Sequence, residues 1–245
     1  MNTLSVVVCT WNRQALLRQT LNAMRFLACP QDWALEFVVV DNNSTDATAE
    51  VVREFAAVLP IRYEFEATPG LSRARNRALA TATSDLVVFT DDDVQVPPDW
   101  LDALTRGAAT YPQAAVFGGP IQSWFPVEPD VDLAEAFPVV KAGFCGTGET
   151  RDAMGVLPAG EYVLGANFAV RRSALGAIRF DPALGNSPTS LGGFEELVFQ
   201  DQVRQSGREV VWLPDMRVRH YVDPSRLSLR YLRRFTIDRN REGYR

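Results

Sequence analysis

Leu86-Val87-Val88-Phe89-Thr90-Asp91-Asp92-Asp93 is the stretch on which the reading of this sequence turns. An unbroken apolar run, partly β-branched, suits a strand buried on both faces, and it stops abruptly in three carboxylates. Working outward, residues 4–9, 36–40 and 61–65 read as further strands. Between them, residues 14–27 place Leu16, Leu17, Leu21, Met24 and Leu27 at helical spacing. Residues 47–57 and 73–82 read as two more helices. The polar loop Asp41-Asn42-Asn43-Ser44-Thr45-Asp46 is expected to cap the first, and Ser72, after the Pro69-Gly70 turn, the second. Pro97-Pro98 opens a helix to about residue 109, and a fifth strand begins at residues 115–117. This β-α-β-α-β-α-β order predicts an α/β fold with a mostly parallel central sheet and helices on both faces. Such sheets bind ligands at the carboxyl ends of their strands. The polar clusters that begin at Thr10, Asp41 and Asp91 all fall there. The second half is less regular. Residues 119–160 read as a long excursion or lid, residues 162–170 and 210–213 as strands, and residues 195–206 as a helix ended by Gly207.

The bulk properties narrow the class. A chain of 245 residues, 47% of them hydrophobic, supports one sizeable core. A net charge of −5 argues against a nucleic-acid binder. That charge is uneven: residues 226–245 carry +5, leaving −10 on the rest. A basic tail on an acidic body suggests an anionic partner or a membrane surface, and its bland alternative is a solvated helix. Cys9, Cys29 and Cys145 form no paired motif and fit buried thiols in a reducing compartment. There is no signal peptide and no apolar run of membrane-spanning length. The expectation is a cytoplasmic protein, with peripheral contact at the inner face of the membrane through the tail. The sequence stops at Gly243-Tyr244-Arg245 inside a basic helical stretch, as a piece of a longer protein would. A Gly-x-Ser-x-Gly elbow, a Walker loop and a Gly-x-Gly-x-x-Gly fingerprint after the first strand are all missing, which disfavours hydrolase, NTPase and dehydrogenase readings.

Five groups of residues have chemistry to offer, each with a plainer alternative. Asp91-Asp92-Asp93 repel one another unless a cation neutralises them, and hard oxygen donors suit Mg²⁺ or Mn²⁺; the alternative is a solvated acidic loop. His220, the single histidine, lies in an alternating segment and is either structural or a partner of those acids. Asp41 can accept hydrogen bonds from a base or ribose, or cap a helix. Glu195 and Glu196 follow Gly192-Gly193-Phe194 at a helix start. They either answer the helix dipole or include a general base. Ser72-Arg73-Ala74-Arg75-Asn76-Arg77 can hold a diphosphate or form a solvated basic face.

Taken in order, these segments resemble family 2 inverting glycosyltransferases of the GT-A fold. The resemblance covers about residues 4–235 and rests on seven ordered features. They are Val6 to Arg13 (the opening strand and turn), Val40 to Asp46, Gly70 to Asn76, Phe89 to Asp93, Gly165 to Arg172, Glu195-Glu196, and His220. The resemblance implies that Thr10, Asn12 and Asp41 hold the nucleoside, with Trp11, Arg13 and Asn43 completing that part of the donor site. Arg75 and Asn76 would shape the pocket around base and phosphates. Asp91 would contact ribose or metal. Asp92 or Asp93, with His220, would bind Mn²⁺ or Mg²⁺; Asp92 also counts among the donor contacts. Gly165, Ala166 and Asn167 would line the sugar pocket. Glu196 takes the catalytic-base position, where the family usually has Asp, and Glu195 stays open as an alternative.

The resemblance further implies residues 1–225 as the transferase domain. Residues 1–95 would be its nucleotide-sugar-binding half and 96–225 its acceptor-binding and catalytic half, with residues 226–245 a basic helical tail. The activity implied is inverting transfer from a nucleotide-diphosphate sugar, UDP-sugar favoured, to a hydroxyl of a saccharide or lipid-linked acceptor, as in polysaccharide biosynthesis. Two rivals compete. A sugar nucleotidyltransferase needs a Gly-rich loop after the first strand, where this chain has Thr10-Trp11-Asn12-Arg13. A non-catalytic nucleotide-sugar-binding module would have no use for the acids and the Glu pair.

Overall fold

Four of the apolar runs become neighbouring strands. In the computed structural model, residues 2–129, 144, 151–185 and 193–242 are described, the side chains of 236 and 238–242 excepted. Strands β1 (Asn2–Thr10), β2 (Trp33–Asp41), β3 (Ile61–Phe65) and β4 (Leu86–Asp91) pair in parallel in the order β3-β2-β1-β4. Their runs are continuously apolar because both faces are covered. Val6, Val8, Val39 and Val88 pack under α1 (Gln14–Met24), α2 (Thr48–Phe55) and α4 (Trp100–Thr110). The alternate residues Val7, Val38, Val40 and Val87 pack under α3 (Leu71–Thr81) and α5 (Glu195–Gln205). The two-residue period of a strand sorts them between the two faces.

Beyond β4 the sheet turns mixed. Strand β9 (Phe168–Arg171) lies antiparallel between β4 and β6 (Ala114–Gly118). Then β10 (Glu209–Trp212) runs parallel to β6, and β8 (Gly155–Val156) closes the edge. Among the described residues this makes an eight-stranded sheet. A second sheet places β11 (Val218–Tyr221) between β5 (Val94–Gln95), antiparallel to it, and β7 (Ile121–Trp124), parallel to it. The basic tail forms α6 (Leu229–Glu242), whose Leu232 is buried with Phe144 and Val222. Among the described residues, no helix is long and apolar enough to cross a membrane.

Several local expectations are corrected. Helix α2 has no side-chain cap; the Asp46 carboxylate instead accepts from the Thr48 amide at 3.1 Å and from the Thr48 hydroxyl at 2.5 Å. Helix α3 starts at Leu71 behind Gly70, whose φ of 137° leaves Ser72 inside the first turn. The Ser72 hydroxyl donates to the Leu184 carbonyl rather than capping. The strand expected over residues 162–170 is shorter, because residues Gly165–Asn167 form one 3₁₀ turn before β9 begins. Within the expected excursion, β7 and β8 are ordered parts of the two sheets, while residues 130–143 and 145–150, with Cys145, lie outside the described residues, as does Gly192.

Candidate active site

The turn that follows β4 divides the three acids. Asp92 faces β1 and α1. It accepts from the Thr10 hydroxyl at 2.7 Å and from Arg13 Nη1 at 2.6 Å, while its carbonyl accepts from Thr20. Arg13 extends its other nitrogen to Asp93 Oδ2. Burial of Asp92 and the neighbouring Asp93 and Asp91 charges push its carboxyl up to about 7, against the pull of Arg13.

Asp91 and Asp93 turn the other way, toward His220 on β11. His220 Nε2 lies 3.3 Å from Asp91 Oδ2 and 3.5 Å from Asp93 Oδ1. One donor atom from each of the three lies within 4.8 Å of the others. The register is fixed from below. His220 pairs with Val94 across β5 and β11, and the Tyr221 amide donates to the Asp93 carbonyl at 2.9 Å. His220 Nδ1 lies 3.0 Å from the Tyr221 carbonyl. A carbonyl only accepts, so Nδ1 carries a hydrogen, and Nε2 is the ring atom turned toward the two carboxylates. Asp93 Oδ1 is buried without a hydrogen bond. Two carboxylates and an imidazole nitrogen at this spacing could hold a divalent cation. Of the expected alternatives, Asp92 or Asp93 with His220, it is Asp93 that lies beside the histidine, together with Asp91, whereas Asp92 is held by Thr10 and Arg13. Although burial opposes ionisation of Asp91, His220, Arg75 and Arg13 hold its carboxyl below the usual carboxylate range.

The second pole of the site is the start of α5. Phe194 precedes it in the left-handed region at φ 68°, where bulky side chains are uncommon. Glu195 is buried and accepts from Arg75 Nη1 at 2.8 Å. Arg75 is only 3% exposed and its guanidinium lies 5.4 Å from the Phe180 ring centre. Gly165 permits this arrangement, since a β-carbon there would stand 2.3 Å from Arg75 Nη2. Glu196 is half-buried and its Oε2 has no hydrogen-bond partner. Burial and the adjacent Glu195 raise its carboxyl to about 7, with Arg75 pulling the other way.

The third pole lies at the ends of β1 and β2. Asp41 Oδ1 accepts from the Ser44 amide and Oδ2 from the Tyr63 hydroxyl, both at 2.8 Å. Asn12, at φ 51°, accepts from the Thr45 amide at 2.7 Å and ties the two loops together. Trp11 and Asn43 are exposed beside them. Other expected donor contacts are engaged elsewhere. Both Asn76 amide atoms clamp the Phe180 backbone, at 2.7 and 2.9 Å. Asn167 is fully buried; it accepts from the Trp100 indole at 3.0 Å and donates to the Pro120 and Met216 carbonyls. Ala166 offers its carbonyl to Thr90. The structure therefore gives Arg75, Asn76 and Asn167 architectural contacts where pocket contacts were expected. Sequence reasoning passed over Tyr63, which fixes Asp41. It also passed over Asn42, which binds the Glu66 and Thr68 carbonyls and the Gly70 amide. Asn42 stands beside Asp41 in the same polar loop, a signal that was available; Tyr63 in a short strand gave none.

The family model described as glycosyl transferase family 2 matches residues 5–144. The chain belongs to that family. Over 242 residues it is 28% identical to the succinoglycan biosynthesis protein ExoM of Rhizobium meliloti, covering 95% of this chain and 72% of that protein. It is 35% identical over 145 residues to a validoxylamine A glucosyltransferase of Streptomyces hygroscopicus subsp. limoneus, covering 57% of this chain and 32% of that one. Among solved structures, S. aureus TarS 1-349 in complex with UDP-GlcNAc superposes with a TM-score of 0.66 at 21% identity, covering 91% of this chain and 59% of that chain. The Pyrobaculum calidifontis mannosyltransferase PcManGT, in complex with GDP-Man and Mn²⁺, superposes at 0.63 and 23% identity, covering 90% and 57%. The family 2 chain thus has the expected GT-A fold, and it spans less than two thirds of both solved chains and about a third of the glucosyltransferase.

Proposed function

We propose that this family 2 chain transfers a sugar from a nucleoside-diphosphate donor, a UDP-sugar in preference, to a hydroxyl of a saccharide or lipid-linked acceptor, with inversion at the anomeric carbon. The observation that carries the proposal is the placement of Asp91, Asp93 and His220 at one strand end, with the buried Arg75 charge interacting with Asp91 on one side and with Glu195 and Glu196 on the other. The loops held by Asn12 and Asp41 border the same carboxyl edge of the sheet and are assigned to the nucleoside. Asp91, Asp93 and His220 would hold a Mg²⁺ or Mn²⁺ ion, which when bound would supply positive charge against the leaving diphosphate. Arg13 keeps Asp92 and Asp93 in place from behind. Glu196 accepts the acceptor's hydroxyl proton on Oε2 as the new carbon–oxygen bond forms and the bond to the diphosphate breaks, a single displacement that inverts the centre. Glu195 holds the base-bearing helix to Arg75 and is not the base in this reading. Residues 1–95 then serve the donor and 96–225 the acceptor, and the basic helix α6, with Leu229 and Ile237 exposed, supports peripheral contact with the cytoplasmic face of a membrane.

The assignment is tested by Glu196→Gln. Transfer is expected to fall by about 10³-fold or more, while affinity for the donor nucleotide stays within about twofold; unchanged turnover would remove Glu196 from the role. Nucleotide release from UDP-, GDP- and dTDP-sugars with Mn²⁺ separates transfer from a pure binding module, which releases none.

A further inference from the structure

The three-stranded sheet has a second face. His220 points inward to the acids, so Arg219, its neighbour on β11, points outward; Arg217 immediately precedes the strand, and both arginines are exposed. Arg219 pairs directly with Gln95 on β5 and Gln122 on β7, which sets amide, guanidinium and amide in one cross-strand row. Its guanidinium lies 5.5 Å from the Trp124 ring centre. Gln95, Gln122, Arg217 and Arg219 line a cleft of about 830 Å³ that also meets Asp152 and the prolines Pro97, Pro120 and Pro214.

Neither Arg217 nor Arg219 has a carboxylate partner among the described residues, although the chain has 30 acidic residues. The Gln95 and Gln122 amides likewise have no hydrogen-bond partner there, while Arg217 donates only to the Pro214 carbonyl. Arg151, at the rim, is paired with Glu161.

We propose that this cleft is a binding site for an acidic saccharide, a sugar chain bearing carboxylates, on the reverse of the sheet that carries His220. Guanidinium forks match carboxylates in two-point geometry, and primary amides both donate to and accept from neighbouring hydroxyls. Side chains on adjacent strands stand about 4.8 Å apart, so the row extends over the length of a sugar ring and is wider than one phosphate. The proline floor offers an apolar surface to the ring's C–H face. The concave volume falls in the range of small-ligand sites, which disfavours a flat membrane contact. The site would hold a stretch of acceptor chain away from the reacting hydroxyl; in that respect it rests on the saccharide-acceptor reading above, but its binding is measurable without turnover.

The experiment titrates the full chain with trigalacturonate, neutral maltotriose and inorganic phosphate by calorimetry, with UDP and Mn²⁺ as a separate arm. Trigalacturonate is expected to bind at least about tenfold more tightly than maltotriose. The double variant Arg217→Gln/Arg219→Gln, altered only at exposed side chains, is expected to lose at least about tenfold in that affinity and none for UDP with Mn²⁺. Equal binding of the neutral and acidic trisaccharides, unchanged affinity in the variant, or phosphate competing as well as trigalacturonate would each overturn the proposal. Failure of UDP to bind the unaltered chain would strike the proposed transferase instead, leaving the saccharide comparison to decide the cleft.

Discussion

At the scale of single residues, Glu196 ties function and stability to pH in opposite directions. Its folded-state value of about 7 lies above the ordinary 4.5 of a free glutamate. Between those two values the folded chain holds a proton that the unfolded chain has lost, so this group's contribution to stability falls as pH rises from about 4.5 to 7. Transfer needs the ionised form and is expected to rise over the same window, by about tenfold per pH unit below 7. Rate–pH profiles and melting curves across pH 5 to 8 check both, with Glu196→Gln as the control that removes this group's share of the stability trend and leaves the share of Asp92, whose carboxyl is also raised to about 7. Gly165 gives a second prediction. A β-carbon 2.3 Å from Arg75 Nη2 forces the guanidinium off Glu195, and Gly165→Ala is expected to cost about 1–3 kcal/mol in denaturant titration. Asp91 to Asp93 were legible in the sequence as a candidate cation site, because three adjacent carboxylates are a chemical anomaly. Which of them face His220 was not, since that depends on where β4 ends and on which side β11 arrives.

At the scale of elements, the parallel strands were readable because burial on both faces leaves an unbroken apolar run. Strand β9 was half readable for the same reason: Phe168, Ala169 and Val170 carry the apolar signal, but the turn before them is set by contacts made far away in sequence. Asn167 is the clearest case. Its amide joins the Trp100 side chain of α4 to the Pro120 and Met216 carbonyls that flank β7 and β11. Nothing local distinguishes such an asparagine from one that contacts a ligand, and a resemblance-based reading assigned it to the sugar pocket. Replacement by leucine leaves an indole N–H and the Met216 carbonyl unsatisfied in a dry interior, each at a cost of about 1–3 kcal/mol, while the Pro120 carbonyl keeps the Val218 amide. Asn167→Leu is therefore expected to lower stability by several kcal/mol and to loosen both sheets, measurable as faster amide exchange in β7 and β11. The missing helix caps have a similar lesson: Ser72 was a sound capping candidate by type, yet the Leu184 carbonyl comes within 2.8 Å and takes its hydrogen.

At the scale of the whole molecule, the site joins pieces that are distant in the chain, and His220 meets Asp91 across 129 positions. Joining like charges this way leaves an excess of lone pairs that a cation relieves, so ligand binding and folding are linked. Mn²⁺ is expected to raise the melting temperature; at a hundred times its dissociation constant the gain is about 2.7 kcal/mol. Asp93→Asn and His220→Ala should each abolish that rise, and a rise that survives in both variants would place the ion elsewhere. The family match ends at residue 144, whereas His220, one of the three members of the proposed cation site, and the whole of the helix that carries Glu196 come later.

The position of β9 bears on how the protein is made. The strand wedges between β4 and β6, whose own residues are synthesised 50 or more positions earlier. While a ribosome is still extending the chain past residue 118, β4 and β6 have no partner on their facing edges, and unpaired backbone N–H and C=O groups there stay open to other chains. The N-terminal half is consequently a poor candidate for independent folding during translation. Nascent chains arrested with about 150 residues outside the exit tunnel should be cut rapidly by protease and bound by chaperones, and protection should appear only once β9 has emerged and closed the gap.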